Sequence, residues 1–168
     1  MHPDEASPTA APTAPLSEIE SRAIKLLTTR EHSRLELDRK LRARGYPAED
    51  VEQVLDQLER EDWLSESRLV ERYVAERLEK GFGPIRIRFE LREKGLSDAL
   101  IRPQLDLDDS QCLELIARVH RQRFGEMPPA DRNDFAKRAR FLEYRGFPQG
   151  LIARYLERLQ REHPQRAD

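Results

Sequence analysis

One cysteine, Cys112, is all that a chain of 168 residues contains. A lone thiol excludes an intramolecular disulfide framework and offers none of the paired spacings that a zinc site uses. It suits a reducing cytosol. Aromatic residues are scarce at 7% while charged residues reach 37%, a balance that favours a surface-rich helical protein over a compact enzyme with a thick core. Charge of one sign is also missing in bulk. The net charge is −2, so any argument for a polyanionic partner must come from local clusters. No apolar run approaches the ~18 residues of a membrane span. The first sixteen residues, MHPDEASPTAAPTAPL, hold four prolines and neither lysine nor arginine. They lack the basic and apolar regions of a secretory signal and read as a disordered tail. A cytoplasmic protein without membrane association is expected.

After residue 16 the apolar spacing becomes helical. Ser17 and Glu20 have the spacing of a capping box, followed by Ile19, Ala23, Ile24 and Leu27 on one face. Ser33 and Glu36 repeat that spacing before a helix with Leu37 and Leu41 inward, which ends at Gly45. Pro47 then takes a first-turn position ahead of Val51, Val54, Leu55 and Leu58.

This grammar returns twice. Gly45, Gly95 and Gly146 lie 50 and 51 residues apart. Four residues before them stand Leu41, Leu91 and Leu142, and one residue after stand Tyr46, Leu96 and Phe147. Six residues after are Val51, Ile101 and Ile152, and ten after are Leu55, Leu105 and Leu156. Each copy is preceded by a further helical segment, at 17–29, 66–80 and 109–124. The expected fold is therefore all-α, three tandem three-helix repeats in an elongated curved array. The boundaries read 1–16 for the tail, 17–60, 61–107 and 108–161 for the repeats, and 162–168 for a C-terminal tail.

The stretch GFGPIRIRFELREKG, residues 81–95, tests this reading. Alone, Ile85 to Leu91 alternates like a half-buried strand. Its counterparts LELDRKLRARG (35–45) and AKRARFLEYRG (136–146) do not alternate. Pro84 suits a first helical position and Gly95 the position past a helix end, so a helix is expected. It places Ile87 and Leu91 on one face and Ile85 and Phe89 roughly opposite. Two apolar faces would let a middle repeat pack against its own bundle and a neighbour. Gly81-Phe82-Gly83-Pro84 lacks the lysine and hydroxyl residue of a P-loop and reads as a tight helix connection.

Chemistry-bearing groups are thin. His2 and His163 lie near the ends, and His32 and His120 are assigned to separate helices without an evident carboxylate or cysteine partner. No nucleophile elbow, zincin, CxxC or paired-acid motif appears, so no catalytic residues, no metal and no cofactor are expected. In Asp62-Trp63-Leu64-Ser65, Trp63 and Leu64 are expected to bury where the first two repeats join, with Ser65 capping the next helix. Tyr73 reads as packing.

Charge placement is more informative. Residues 30–44 carry six Lys/Arg against three acids, 80–94 five against two, and 132–145 five against two, whereas 49–71 hold nine acids and two arginines. Such segregation is commonly ion pairing on solvated faces. Its recurrence in the second helix of each repeat also fits a basic stripe for a phosphate backbone or an acidic protein groove. The candidates are Arg34, Arg39, Lys40, Arg86, Arg88, Lys94, Lys137 and Arg140.

The segments REHSRLELDRKLRARGY (30–46), DWLSESRLVERYVAERLEKGFGPIRIRFELREKGL (62–96) and RARFLEYRGFPQGLI (138–152) resemble the RecX family, bacterial regulators of the recombinase RecA. The W-L-S-x-x-R lead and the GxGPxRIRxELxxKG core are the most specific part. The resemblance implies three tandem three-helix repeats. It further implies a non-enzymatic protein that binds the RecA–DNA filament, docks along its groove, and damps filament growth, ATP hydrolysis, strand exchange and the co-protease activity of the SOS response. Weak DNA binding without sequence preference is implied as well, and the slightly acidic net charge favours the filament over free DNA. An array spanning neighbouring RecA protomers would gain affinity by multivalency. A monomer is expected. A helical DNA-binding module or a protein adaptor acting without RecA are the alternatives that the residues themselves leave open.

Overall fold

The computed structural model describes residues 14–163, and among these there are helices and connections but no strand. The helices are α1 (Leu16–Thr29), α2 (Arg34–Arg42), α3 (Ala48–Arg60), α4 (Glu66–Glu79), α5 (Pro84–Glu93), α6 (Asp98–Leu105), α7 (Asp109–Phe124), α8 (Arg132–Arg145) and α9 (Gln149–Glu162). The disorder expected of the N-terminal tail falls on residues 1–13, which lie outside the described residues, as do residues 164–168. The chain forms two compact units, one ending at Glu66 and the other beginning at Ser67.

Three of the offsets that defined the repeat are core positions in every copy. Leu41, Leu91 and Leu142 have no exposed surface, and Val51, Ile101 and Ile152 are equally enclosed. Leu55, Leu105 and Leu156 are buried with them. Burying one such side chain contributes about 1.5–3 kcal/mol, so a spacing shared by three segments is a shared packing solution. In the first unit Ile19, Ala23, Leu37, Leu41, Val51, Val54, Leu55, Leu58 and Leu64 form one cluster. The second unit holds two clusters, one centred on Val70, Ile87, Leu91 and Ile101 and one on Ile116, Leu142, Ile152 and Leu156.

Helix entry follows local chemistry, with two departures from the expected caps. Ser33 and Glu36 form the reciprocal capping box foreseen for α2. For α1, however, extended Pro15 is the N-cap and Ser17 already lies inside the helix, so Ser17 and Glu20 do not cap it. The proline ring presets the entry φ, and the helix begins two residues earlier than the serine would have started it. Pro47 similarly precedes α3 as its N-cap, with ψ 142, rather than occupying its first turn. Pro84 does stand at the first position of α5.

Two apolar expectations are overturned. Ile87 and Leu91 are buried, but Ile85 is 57% exposed and Phe89 63% exposed. Trp63 is 46% exposed, whereas its neighbour Leu64 is buried in the first core. The leucine fills the end of the α1–α3 cluster, and a bulky indole one position away cannot share that space. His32 sits in the connection before α2 rather than on a helix.

Helix α9 contains a removable weakness. Gly150 lies within it, and a methyl group there would meet nothing within 4 Å. Gly150→Ala is expected to stabilise the second unit by about 0.5–1 kcal/mol through reduced backbone freedom in the unfolded chain. Thermal unfolding followed by circular dichroism checks this.

Candidate binding surface

The second unit is organised by a seam between the α4–α5 connection and the C-terminus of α8. The Gly83 N–H donates to the Arg145 carbonyl at 2.7 Å, and the Ile85 N–H donates to the Gly146 carbonyl at 3.0 Å. Two backbones approach this closely because neither Gly83 nor Gly146 carries a side chain. A Cβ on Gly83 would stand 2.8 Å from Phe147 Cδ1, and one on Gly146 would stand 2.6 Å from the Arg86 nitrogen. Gly146 also ends α8 in the left-handed conformation at φ 96. Arginines close the seam. Arg145 Nη1 donates to the Lys80 carbonyl, just past α4, at 2.9 Å, and Arg118 Nη2 adds a second bond to the Leu78 carbonyl, which also accepts from the Gly81 N–H.

Phe82 is the hub of this arrangement. The guanidinium groups of Arg77, Arg86 and Arg145 lie 3.7, 4.7 and 4.8 Å from its ring centre, each within cation–π range. Glu90 meets two of these charges by accepting from Arg77 and Arg86, and it also accepts from Tyr73 Oη at 2.8 Å. Burial alone would raise the Glu90 carboxyl, but bonds from Arg77, Tyr73 and Arg86 outweigh it and hold the group below its ordinary value. Tyr73 is accordingly a packing residue with a satisfied hydroxyl. Its phenol is pushed up to about 12, by burial first and by the Glu90 bond second.

The eight cationic candidates divide by the company they keep. Arg34 spans to α3, with Nη2 2.7 Å from Asp56 and Nη1 2.8 Å from Glu59, so its charge is met inside the first unit. Arg86 bonds Glu90 and the Tyr144 carbonyl while lying 4.8 Å from the Tyr144 ring centre. Lys40 is exposed and its Nζ reaches His32 Nε2 at 2.8 Å. Lys94 is half-buried, 5.4 Å from the Tyr73 ring centre. Arg39, Arg88, Lys137 and Arg140 are exposed and make no hydrogen bond or ion pair with the described residues.

The free cations of the second unit have apolar company that the alternating pattern assigns to the interior. Ile85, Arg88, Phe89 and Arg92 share one face of α5, at the i, i+3, i+4 and i+7 positions. Lys137, Arg140 and Tyr144 share a face of α8. Tyr144 is 73% exposed, and Arg86 ties it to α5. A signal for Phe89 was present in the repeat. Six residues before the marker glycines stand Arg39, Phe89 and Arg140, and all three are exposed.

Among the described residues no group of three or more His, Cys, Asp or Glu side chains could hold a metal ion, and no helix is long and apolar enough to cross a membrane. Cys112 is buried, which with the nearby Asp109 and Asp108 carboxylates pushes its thiol up. His120 is fully enclosed, its Nε2 3.2 Å from Arg138 Nη1 and its Nδ1 3.1 Å from Tyr155 Oη. Arginine can only donate, so Nε2 accepts and the Nδ1 proton of the neutral ring points to the tyrosine oxygen. This is a structural network rather than a nucleophile with its base.

The fold defines a class: an all-α tandem-repeat protein of three-helix units, with exposed cations on the second helix of each. Comparison with known proteins makes the class specific. The RecX first three-helix domain matches residues 21–58, the RecX second three-helix domain residues 65–102, and the RecX third three-helix domain residues 109–156. The chain is 44% identical over 138 residues to the regulatory protein RecX of Pseudomonas fluorescens strain Pf-5, covering 80% of this chain and 86% of that protein. It is 43% identical over 134 residues to the regulatory protein RecX of Pseudomonas syringae pv. tomato, with the same shares covered. The crystal structure of RecX from Lactobacillus salivarius superposes with a TM-score of 0.72 at 23% identity, over 86% of this chain and 96% of that one. The chain belongs to the RecX family.

Proposed function

We propose that this protein is a negative modulator of RecA, binding the RecA–DNA filament in the cytoplasm and limiting its extension, ATP hydrolysis, strand exchange and co-protease activity. Family membership supplies the regulatory role. The observation that carries the binding surface is the set of unpaired cations, Arg39 on α2, Arg88 on α5, and Lys137 and Arg140 on α8, each on the second helix of its repeat. Each unit by itself presents such charges on a second helix, which suits a partner that is itself repetitive and polyanionic. The four candidates whose charges or side chains are already engaged, Arg34, Lys40, Arg86 and Lys94, chiefly shape the helices that display the others.

The decisive measurement is ATP hydrolysis by RecA from the same organism on single-stranded DNA, with this protein added well below RecA stoichiometry. Strong inhibition is expected. The double substitution Lys137→Glu and Arg140→Glu, on exposed positions, should leave the circular dichroism spectrum unchanged and raise the concentration for half-inhibition about tenfold. That corresponds to a binding free energy weaker by roughly 1.4 kcal/mol. Absence of inhibition by the unmodified protein at equal stoichiometry and low salt would reject the filament reading and favour an adaptor for another partner.

A further inference from the structure

The geometry points to a division of labour on the second unit: the Ile85–Phe89 face of α5 docks on an acidic protein surface of the filament, not on its DNA. This rests on the filament reading given above and specifies which component of the filament this face meets.

The inference begins with what the face offers. Ile85 and Phe89 are more than half exposed, and Tyr144 extends the apolar area from α8 through its contact with Arg86. Clustered large apolar side chains left in water mark an interaction site. The charges beside them are mostly engaged. Arg92 holds Asp98 with both Nε, at 3.0 Å, and Nη2, at 2.6 Å. Arg86 is held by Glu90. Among the described residues Arg88 makes no hydrogen bond or ion pair, although its charge also acts on Asp98.

A phosphate backbone is gripped by several free cations spaced along it, and apolar groups add nothing to that term. Stacking alone does not account for the face: Phe89 and Tyr144 carry exposed rings, but Ile85 beside them is 57% exposed and has none. An apolar pair flanked by one unpaired arginine instead complements a protein patch with an apolar centre and a carboxylate at its edge, the anatomy of a protein–protein contact. The repeat sharpens the contrast. Arg39 and Arg140 occupy the position in their repeats that Phe89 occupies in the middle one. Only there does an aromatic ring stand where the other repeats have a solvent-facing cation. The α8 face, with Lys137 and Arg140 both unpaired, retains the character that suits phosphates.

The test uses the full chain, RecA filaments assembled on single-stranded DNA, and a fluorescein-labelled dT oligonucleotide without RecA. Ile85→Ser with Phe89→Ser should weaken filament binding at least tenfold. It should leave oligonucleotide binding, and the slope of log K against log salt, as in the unmodified protein. Lys137→Gln with Arg140→Gln should make that slope shallower by about 0.7 for each phosphate no longer neutralised. Equal weakening of filament and oligonucleotide binding by the serine pair would reassign the face to nucleic acid and overturn the inference. Filament binding that survives the serine pair overturns it too, while leaving the filament reading intact. An unmodified protein that does not bind the filament overturns both.

Discussion

Gly146→Ala should destabilise the second unit by about 3 kcal/mol and lower its melting temperature by roughly 12–20 °C. Two separate costs combine. The residue sits at φ 96, where a side chain is strained by about 1–2 kcal/mol. Its Cβ would also press on Arg86, whose nitrogen stands 2.6 Å away and whose backbone cannot retreat because Ile85 is bonded to the Gly146 carbonyl. Overpacking of this kind typically adds about 1–3 kcal/mol. Gly45→Ala is the internal comparison. Gly45 has nearly the same φ, 91, but a Cβ there meets nothing within 4 Å, so only the conformational cost of about 1–2 kcal/mol applies. Amide exchange read separately in α2–α3 and in α5–α9 distinguishes the two. Equal effects from both substitutions would refute the seam as the source of the larger loss.

Acid should loosen the third repeat between pH 6.5 and about 4, before most carboxylates titrate. His120 has its pKa lowered from 6.5 to about 4, first by burial and then by the Arg138 charge facing it, against a smaller opposing pull from Asp134. The unfolded chain therefore takes up a proton at a pH where the folded one refuses it. The stability associated with the neutral ring is complete above 6.5 and disappears as pH falls to about 4, a difference of about 3 kcal/mol. Asp134 is held below its ordinary value of 3.8, chiefly by its bond from Arg138, so its contribution is lost only at lower pH. His32, buried in the first unit and lowered chiefly by desolvation, acts in the same direction there. Exchange in α7 and α9 at pH 7.5 and 4.5, compared with His120→Gln, separates the two histidines. The variant should be less stable at pH 7.5 but nearly flat across this interval.

The sequence reveals the repeats readily because the aliphatic marker positions are also core positions. Leu41, Leu91 and Leu142 recur at one offset for the same reason that they are enclosed. Helix ends are legible where a single residue decides them, as at Ser33 and Pro84, and shift where a proline presets the entry, by two residues at Pro15 and by one at Pro47. The seam is not legible. Gly83 and Gly146 both have ordinary local explanations, one as part of a connection and one as a helix stop, and nothing local states that they touch. The exposed face of α5 fails for a different reason. Periodicity shows that Ile85 and Phe89 share a face but not whether anything covers it. The equivalence of Phe89 with Arg39 and Arg140 was the available clue. Free and engaged cations are likewise indistinguishable by composition, since Arg34 and Arg39 differ only in what α3 brings near them.

The seam also sets the order in which the molecule can be completed during synthesis. Its two halves, Gly83 and Arg145, are about sixty positions apart, an interval that a ribosome covers in roughly 3–12 s. Throughout that interval the nascent second repeat carries an unanswered Gly83 N–H and a Lys80 carbonyl awaiting Arg145. A message truncated before the codon for Gly146 therefore yields a second repeat with an uncovered edge, a substrate for chaperones and proteases rather than a shorter working version of the protein.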